Sequence, residues 1–257
     1  GYAGALKPTR PMFEPIRGFT SLQRTPKSDL KLGSVLAFVA GAINAGGLLA
    51  VGQYTSHMTG IVSSVADNLV LGQAGLALSG LIALLAFLVG AMTTTWLVNW
   101  GMRRELRSAY GLPLMLEAVL LLVFGLFGAA LDLLQALLVP LTVVLLCFIM
   151  GLQNAVITKI SQARIRTTHV TGLVTDLGIE LGRLLFVNRR PGVQPVRADR
   201  QRLRVHLQLV CCFLGGGVTG ALGFKHLGYL STVPLAALLL LLVLRPALDD
   251  WQRLRGS

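Results

Sequence analysis

Charge is missing from long stretches of this chain, and the lengths of those stretches are the feature that most restricts its fold. No permanently charged residue occurs in 32–66, 68–102, 118–131, 133–158, 205–224 or 227–244. A helix needs about 20 predominantly apolar residues to cross the hydrocarbon core of a bilayer. Backbone groups inside lipid must also find their hydrogen bonds within the protein, which a helix achieves within its own segment. With 54% of residues hydrophobic and only 13% charged, the expected fold is an all-α membrane protein. Full spans fall near 32–52, 76–99, 112–131, 134–155, 205–224 and 228–244.

The charges that do occur lie in clusters between these runs and sum to +12. A basic balance of this size fits nucleic acid or a membrane surface. No basic helix or aromatic platform accompanies it, so no nucleic-acid partner is expected. Anionic lipid at the cytoplasmic face accounts for it better. Cys147, Cys211 and Cys212 lie inside apolar runs and lack the spacing of a disulfide framework or a zinc site. No metal or cofactor is expected. The first thirty residues are polar and hold no apolar core of a signal peptide.

Two further segments, 57–72 and 169–186, have helical patterning but are much less apolar. Charge decides how to treat them. With the N-terminus inside and six crossings, the cytoplasmic side takes the six Lys and Arg before residue 32, then Arg103, Arg104 and Arg107. It also takes Lys159, Arg164, Arg166, Arg183, the arginines of loop 187–204 and the C-terminal tail, which leaves Lys225 outside. Were both weak segments to cross, Arg103, Arg104, Arg107, Lys159, Arg164 and Arg166 would move outside, against the positive-inside rule. Six crossings are expected, with two polar helices that do not span or span only half-way.

An internal repeat supports this count. Gly41-Ala-Ile-Asn44-Ala45 and Thr55-Ser-His57-Met-Thr59-Gly60 return as Gly151-Leu-Gln-Asn154-Ala155 and Thr167-Thr-His169-Val-Thr171-Gly172, with the Asn residues 110 apart and the His residues 112 apart. More weakly, Gly90-Ala-Met-Thr93 is echoed by Gly216-Gly-Val-Thr219. The division is then a basic N-terminal segment 1–31, repeat one over 32–132, repeat two over 133–246 with its basic loop 187–204, and a tail 247–257. Three crossings per repeat make the second copy inverted, an arrangement common among secondary transporters.

The polar helices carry the chemistry. At about 100° per residue, positions 7 and 11 after each His share its face. These are Ser64 and Asn68 in the first copy, and Asp176 and Glu180 in the second, with Arg183 nearby. Ionisable groups in membrane segments are costly and point to function, although an amphipathic helix lying in the interface would wet the same stripe. Thr55-Ser56 and Thr167-Thr168 suit an N-cap, and a helix start with free amides attracts anions. His57 and His169 add a titratable donor. Thr, His and Gly also serve plain helix–helix packing. Asn44 and Asn154 sit late in apolar spans, as glue between repeats or as ligand contacts. Glu117 lies about 8 Å inside its span at 1.5 Å per residue, placed either for proton coupling or to reach back toward Arg107. Asp132 marks a loop. No phosphate loop, His-Glu-x-x-His or Gly-x-Ser-x-Gly element is present, and no enzyme is expected.

The stretches Tyr54-Thr-Ser-His57-Met-Thr59-Gly60-Ile61-Val and Arg166-Thr-Thr-His169-Val-Thr171-Gly172-Leu173-Val-Thr-Asp176-Leu-Gly178, with Gly151-Leu-Gln-Asn154-Ala, resemble the YoaK-like family over about 33–244. The family is bacterial, resides in the inner membrane and is classed as a domain of unknown function. Many members carry Asn after Met-Thr-Gly. Ile61 and Leu173 stand there instead, so any role of that Asn does not transfer. The resemblance implies location and span count but no activity.

Together these readings favour a small-molecule secondary transporter. Its polar or anionic solute would bind at the repeat junction to Asn44, His57, Thr59, Gly60, Asn154, His169, Thr171 and Gly172. Glu117, Asp176 and Glu180 would couple it to protons or cations. The competing reading is a non-transporting scaffold or lipid-binding assembly partner. The bilayer is the expected partner in either case, and the sequence leaves room for a homo-oligomer.

Overall fold

The structure, a computed structural model, describes residues 26–128, 135–188 and 194–255. The basic segment ahead of residue 26, Asp132 and Arg189 and Arg190 of the basic loop lie outside the described residues. The order is α1 Pro26–Val51, α2 Met58–Val70, α3 Ala74–Arg103, α4 Gly111–Gly128, α5 Gln135–Ile160, α6 Val170–Leu185 and α7 Arg200–Leu227. A 3₁₀ turn, Gly228–Ser231, then leads to α8 Thr232–Arg255. No strand occurs among the described residues.

Local chemistry explains the breaks. Pro26 opens α1, where its missing N–H is one the helix cannot use. Gly52 ends α1 with φ +76° and Gly228 turns the chain after α7 with φ +58°, a region that costs a residue with Cβ about 1–2 kcal/mol. Asp199 caps α7 by accepting from the amides of Gln201 (2.9 Å) and Arg202 (3.0 Å).

Four stretches are long and apolar enough to cross a membrane: Lys27–Val51, Ala74–Arg103, Val139–Ile160 and Arg200–Arg253. The last runs through the Gly228 turn, so it comprises two legs. Gly111–Leu126 is a shorter apolar helix. The weak segments 57–72 and 169–186 form α2 and α6, of 13 and 16 residues.

Side-chain pairings fix how the helices run. Along α1 and α7, Ser34 accepts from Gln208 (2.8 Å), Phe38 meets Gly216, and Gly46 meets Phe224, so these helices are parallel. Along α3 and α5, Phe87 meets Gly151 and the Thr94 hydroxyl donates to the Leu152 carbonyl (2.9 Å), with Ala83 and Ala86 clustered on Val143 and Cys147. This pair is also parallel. By contrast α1 and α5 are antiparallel: Gly33 lies by Ile157, the Gln153 amide donates to the Leu36 carbonyl (3.2 Å), and Gly47 lies by Leu146. Antiparallel packing also joins α4 to α8, where Gly111 meets Val243 and Gly125 meets Thr232. The fully buried large side chains concentrate on α1 and α5, among them Leu32, Leu36, Ile43, Leu146, Ile149, Met150 and Ile157. The short helices flank this core, α2 against α3 and α6 against α7, and Leu173 of α6 joins the core cluster.

At the C-terminus α8 continues through most of the 247–257 tail, to Arg255. Asp250, buried, accepts from the Arg107 amide (2.9 Å), the Ser108 amide (2.8 Å) and the Ser108 hydroxyl (2.7 Å). Removing a buried charged partner strands these donors and costs about 3–5 kcal/mol. Asp249 lies 3.6 Å from Arg107 in a half-exposed pair, worth about 0–1 kcal/mol. Asp250→Ala is therefore expected to lower unfolding free energy by about 3 kcal/mol and Asp249→Ala by less than about 1 kcal/mol. Denaturation of the two variants side by side in one detergent checks the ranking.

Candidate functional site

The repeated residues build the same device twice. In each copy the chain leaves its first helix, folds back alongside it and begins the short helix at the His. In the first copy, Asn44 Oδ1 accepts from the Ser56 amide (3.2 Å) and the Ser56 hydroxyl (2.8 Å). In the second, Asn154 Oδ1 accepts from the Thr168 hydroxyl (2.7 Å), while its Nδ2 donates to the Met150 carbonyl (2.8 Å). Each Asn thus clamps the start of a short helix against the preceding long one. Thr55 and Thr167 are both fully buried, and neither hydroxyl has a partner among the described residues. A buried hydroxyl without a hydrogen bond costs about 1–3 kcal/mol on mutational scales, so a matching pair of them is unusual.

The N-caps are His57 (φ −92°, ψ 69°) and His169 (φ −85°, ψ 58°), and neither imidazole caps its helix. The hydroxyl residues ahead of them, expected as caps, are committed to the Asn clamps or buried instead. Each ring leans back over the glycine three residues on. A Cβ at Gly60 would lie 2.6 Å from His57 Nδ1, and one at Gly172 would collide with His169 Nδ1. The ladder begins with Ile61 N to the His57 carbonyl (3.1 Å) and Leu173 N to the His169 carbonyl (3.2 Å). Helix geometry leaves the amides of residues 58–60 and 170–172 without intrahelical acceptors, and the macrodipole makes these ends favourable to anions.

The two devices do not meet. Leu36 marks the level of Gln153, next to Asn154, and Asn44 lies eight residues further along α1. At 1.5 Å per residue the two Asn levels differ by about 12 Å along the helix axis. Because α1 and α5 are antiparallel, Asn44 lies toward the end of one and Asn154 toward the opposite end of the bundle.

The charged stripe differs between copies. Asn68 Nδ2 donates to Ser64 Oγ (3.1 Å) within α2. At the equivalent places in α6 some of the contacts leave the helix. Asp176 Oδ2 lies 3.5 Å from Arg202 and 3.7 Å from His206 Nε2, both on α7. Glu180, almost wholly buried, accepts at Oε1 from Arg183 within α6 (2.8 Å) and at Oε2 from the Asp199 amide (2.8 Å), so the second oxygen ties the α6–α7 connection to the helix. Glu117 is fully buried, and neither of its oxygens has a partner among the described residues.

Around the second device opens a cavity of about 1350 Å³. His169, Thr171, Gly172 and Asp176 line it, together with Lys27, Arg164, Arg166, Arg200, Arg202, Arg204 and His206; none of the repeat-one site residues does. The loop that forms its rim bends through left-handed conformations at Gln162 (φ 51°) and Ala163 (φ 63°).

Residues 32–245 match a family described as a protein of unknown function, DUF1275. The chain belongs to this family. The match takes in both His-x-Thr-Gly devices and all or most of every long apolar helix. Among curated proteins, the UPF0700 transmembrane protein YoaK of Bacillus subtilis (strain 168) is 30% identical over 162 residues, covering 61% of this chain and 69% of the relative. No solved structure matches. With a transmembrane relative and several long apolar helices, this DUF1275 chain is a multi-pass membrane protein.

Three contributors escaped the sequence reading. Thr55 and Thr167 looked like capping residues, and only burial shows their unpartnered hydroxyls. His206 was submerged in an apolar run. The arginines of the α7 start read as positive-inside charge alone, and on a helix only Arg200 and Arg204 share a face, so no local pattern marks Arg200, Arg202 and Arg204 as lining one cavity.

Proposed function

We propose that this protein is a secondary transporter for a small polar or anionic solute, built from two three-span repeats of opposite orientation in a bacterial cytoplasmic membrane. The observation that carries this reading is the Asn-clamped, His-started short helix made twice on helices that run antiparallel. Each of the pairs α1/α5, α3/α7 and α4/α8 is antiparallel, and on this reading the five long apolar helices and the shorter α4 each cross once. Interrupted helices whose N-termini face a substrate recur in transporters with inverted repeats. With the termini cytoplasmic, the Arg-rich vestibule opens to the cytoplasm and the His57 device to the far side, in keeping with the positive-inside rule. Instead of one site at the junction, each device serves the face it borders.

The test begins with a thermal-shift screen of small metabolites, since a ligand that binds only folded protein raises its apparent stability. A hit is then assayed for uptake into proteoliposomes. Losing one hydrogen bond to a charged group costs about 1.5–3 kcal/mol, or about tenfold or more in affinity. His57→Ala and His169→Ala are each expected to reduce uptake about tenfold at subsaturating solute. Full uptake by the double variant would overturn the site assignment. A scaffold role predicts no saturable uptake of any hit.

A further inference from the structure

We propose that the vestibule around His169 is a binding site for a phosphate-bearing anion, held by Arg166, Arg200, Arg204 and the free amides at the start of α6. The proposal deepens the transporter reading by naming the chemistry of one mouth, and it rests on that reading only for its purpose.

Three independent observations converge. First, the cavity is lined by six Lys or Arg side chains against three carboxylates, Asp29, Asp176 and Asp199. Asp199 is spent capping α7, and Asp176 faces Arg202 and His206. Among the described residues no carboxylate pairs with Arg166, Arg200, Arg204 or Lys27. A concave surface lined by twice as many cations as carboxylates attracts multivalent anions, and guanidinium groups favour phosphate because they can bind two of its oxygens at once.

Second, the start of α6 opens on the same cavity through His169, Thr171 and Gly172. Free amides and the positive end of the helix dipole add to the side-chain charge there. Third, His206 lines the cavity although only 7% of it is exposed, and its Nδ1 has no partner among the described residues. A buried ring nitrogen without a partner in the wall of a cation-rich cavity is an unspent donor or acceptor.

The duplicated device supplies an internal comparison. Counting back from the two His residues, Arg164 and Arg166 correspond to Gly52 and Tyr54, and the loop 52–57 carries no permanent charge. The two copies share the clamp, the imidazole and the glycine, but the cations were added to one alone. Packing needs explain what is shared. They do not explain six cations lining one cavity against three carboxylates.

The phosphate could belong to a soluble metabolite or to an anionic lipid headgroup, and one experiment separates these sources. Purified full-length protein is reconstituted in nanodiscs of phosphatidylcholine, and its melting temperature is followed with inorganic pyrophosphate added at constant ionic strength. A parallel series replaces a third of the lipid with phosphatidylglycerol. Wild type is compared with Arg166→Gln/Arg200→Gln/Arg204→Gln and with a charge-matched control, Arg103→Gln/Arg104→Gln/Arg253→Gln, outside the vestibule. Stabilisation by pyrophosphate that the vestibule variant loses and the control keeps supports the site and assigns it to a solute. The same pattern with phosphatidylglycerol alone supports the site and assigns it to lipid. Equal loss in both variants, or no stabilisation of wild type by either probe, overturns the proposal. Should the triple variant not fold, Arg200→Gln alone is used, with at least a threefold weaker pyrophosphate midpoint expected. Binding here needs no gradient, so a failed transport assay and a failed binding assay are separate results.

Discussion

Gly151→Leu will leave no folded protein to purify, and Gly41→Leu will do the same. At each of these positions a Cβ would strike backbone across a helix crossing: Gly151 faces the Phe87 carbonyl and Gly41 the Phe213 carbonyl. The contacts are reciprocal, since Gly90 faces the Phe148 carbonyl and Gly216 the Phe38 carbonyl. A side chain that meets another side chain can be accommodated by rotamer change. One that meets backbone cannot, so the helices must separate along their length. In lipid there is little hydrophobic drive to hold helices together, and close packing of small residues supplies most of the association. The loss should therefore reach about 4 kcal/mol or more, a size few single substitutions attain. Gly178 is the matched control, being helical with nothing near a Cβ. Gly178→Ala should be neutral or stabilise by up to about 1 kcal/mol from helix propensity. Size-exclusion profiles and melting curves of the three variants in one detergent check the contrast. A monodisperse, wild-type-like Gly151→Leu would show that α3 and α5 do not cross there.

Those four glycines also show why part of this fold was legible from residues alone. Gly41 and Gly151 open the two Asn-bearing elements, and Gly90 and Gly216 open the weaker downstream echo. A repeat written in glycines survives because no other residue fits between two backbones, so the symmetry of the crossings is visible in one dimension. The Asn and His spacing was visible for a related reason: the clamp ties residues only 12 or 14 positions apart. What stayed hidden depends on distant partners. Asp250 grips Arg107 and Ser108 from more than 140 positions away, and no local pattern announces it. Likewise Glu180 and Asp176 looked alike as stripe members. Yet one is sealed between Arg183 and the Asp199 amide while the other stays on the cavity wall, a distinction made by how the α6–α7 connection folds back. The separation of the two devices was also out of reach, because it follows from the antiparallel course of α1 and α5.

Replacing Glu117 with Leu will raise stability while removing proton coupling. The carboxyl group is fully buried, and neither oxygen has a partner among the described residues. Burying a polar group without hydrogen bonds costs about 1–3 kcal/mol on mutational scales, and apolar replacements of buried ionisable groups are often stabilising by similar amounts. Leu114, Ala118 and Leu121 on the same helix are equally buried, so an apolar side chain of similar volume fits its surroundings. A group this costly persists only where it does something that a Leu cannot. Under the transporter reading that task is to take up and release a proton as the repeats rock. Glu117→Leu should thus unfold at a higher temperature, with a gain of about 2 kcal/mol, and should still exchange labelled solute across a membrane without a gradient. It should no longer concentrate solute when a pH gradient is imposed. Glu117→Asp, which keeps the proton site, should retain part of that accumulation. If the Leu variant is less stable than wild type, Glu117 holds the bundle together through contacts made in the membrane, and the coupling assignment fails. If it is more stable and still accumulates solute against a gradient, the proton passes elsewhere, with Asp176 and His206 the next pair to vary.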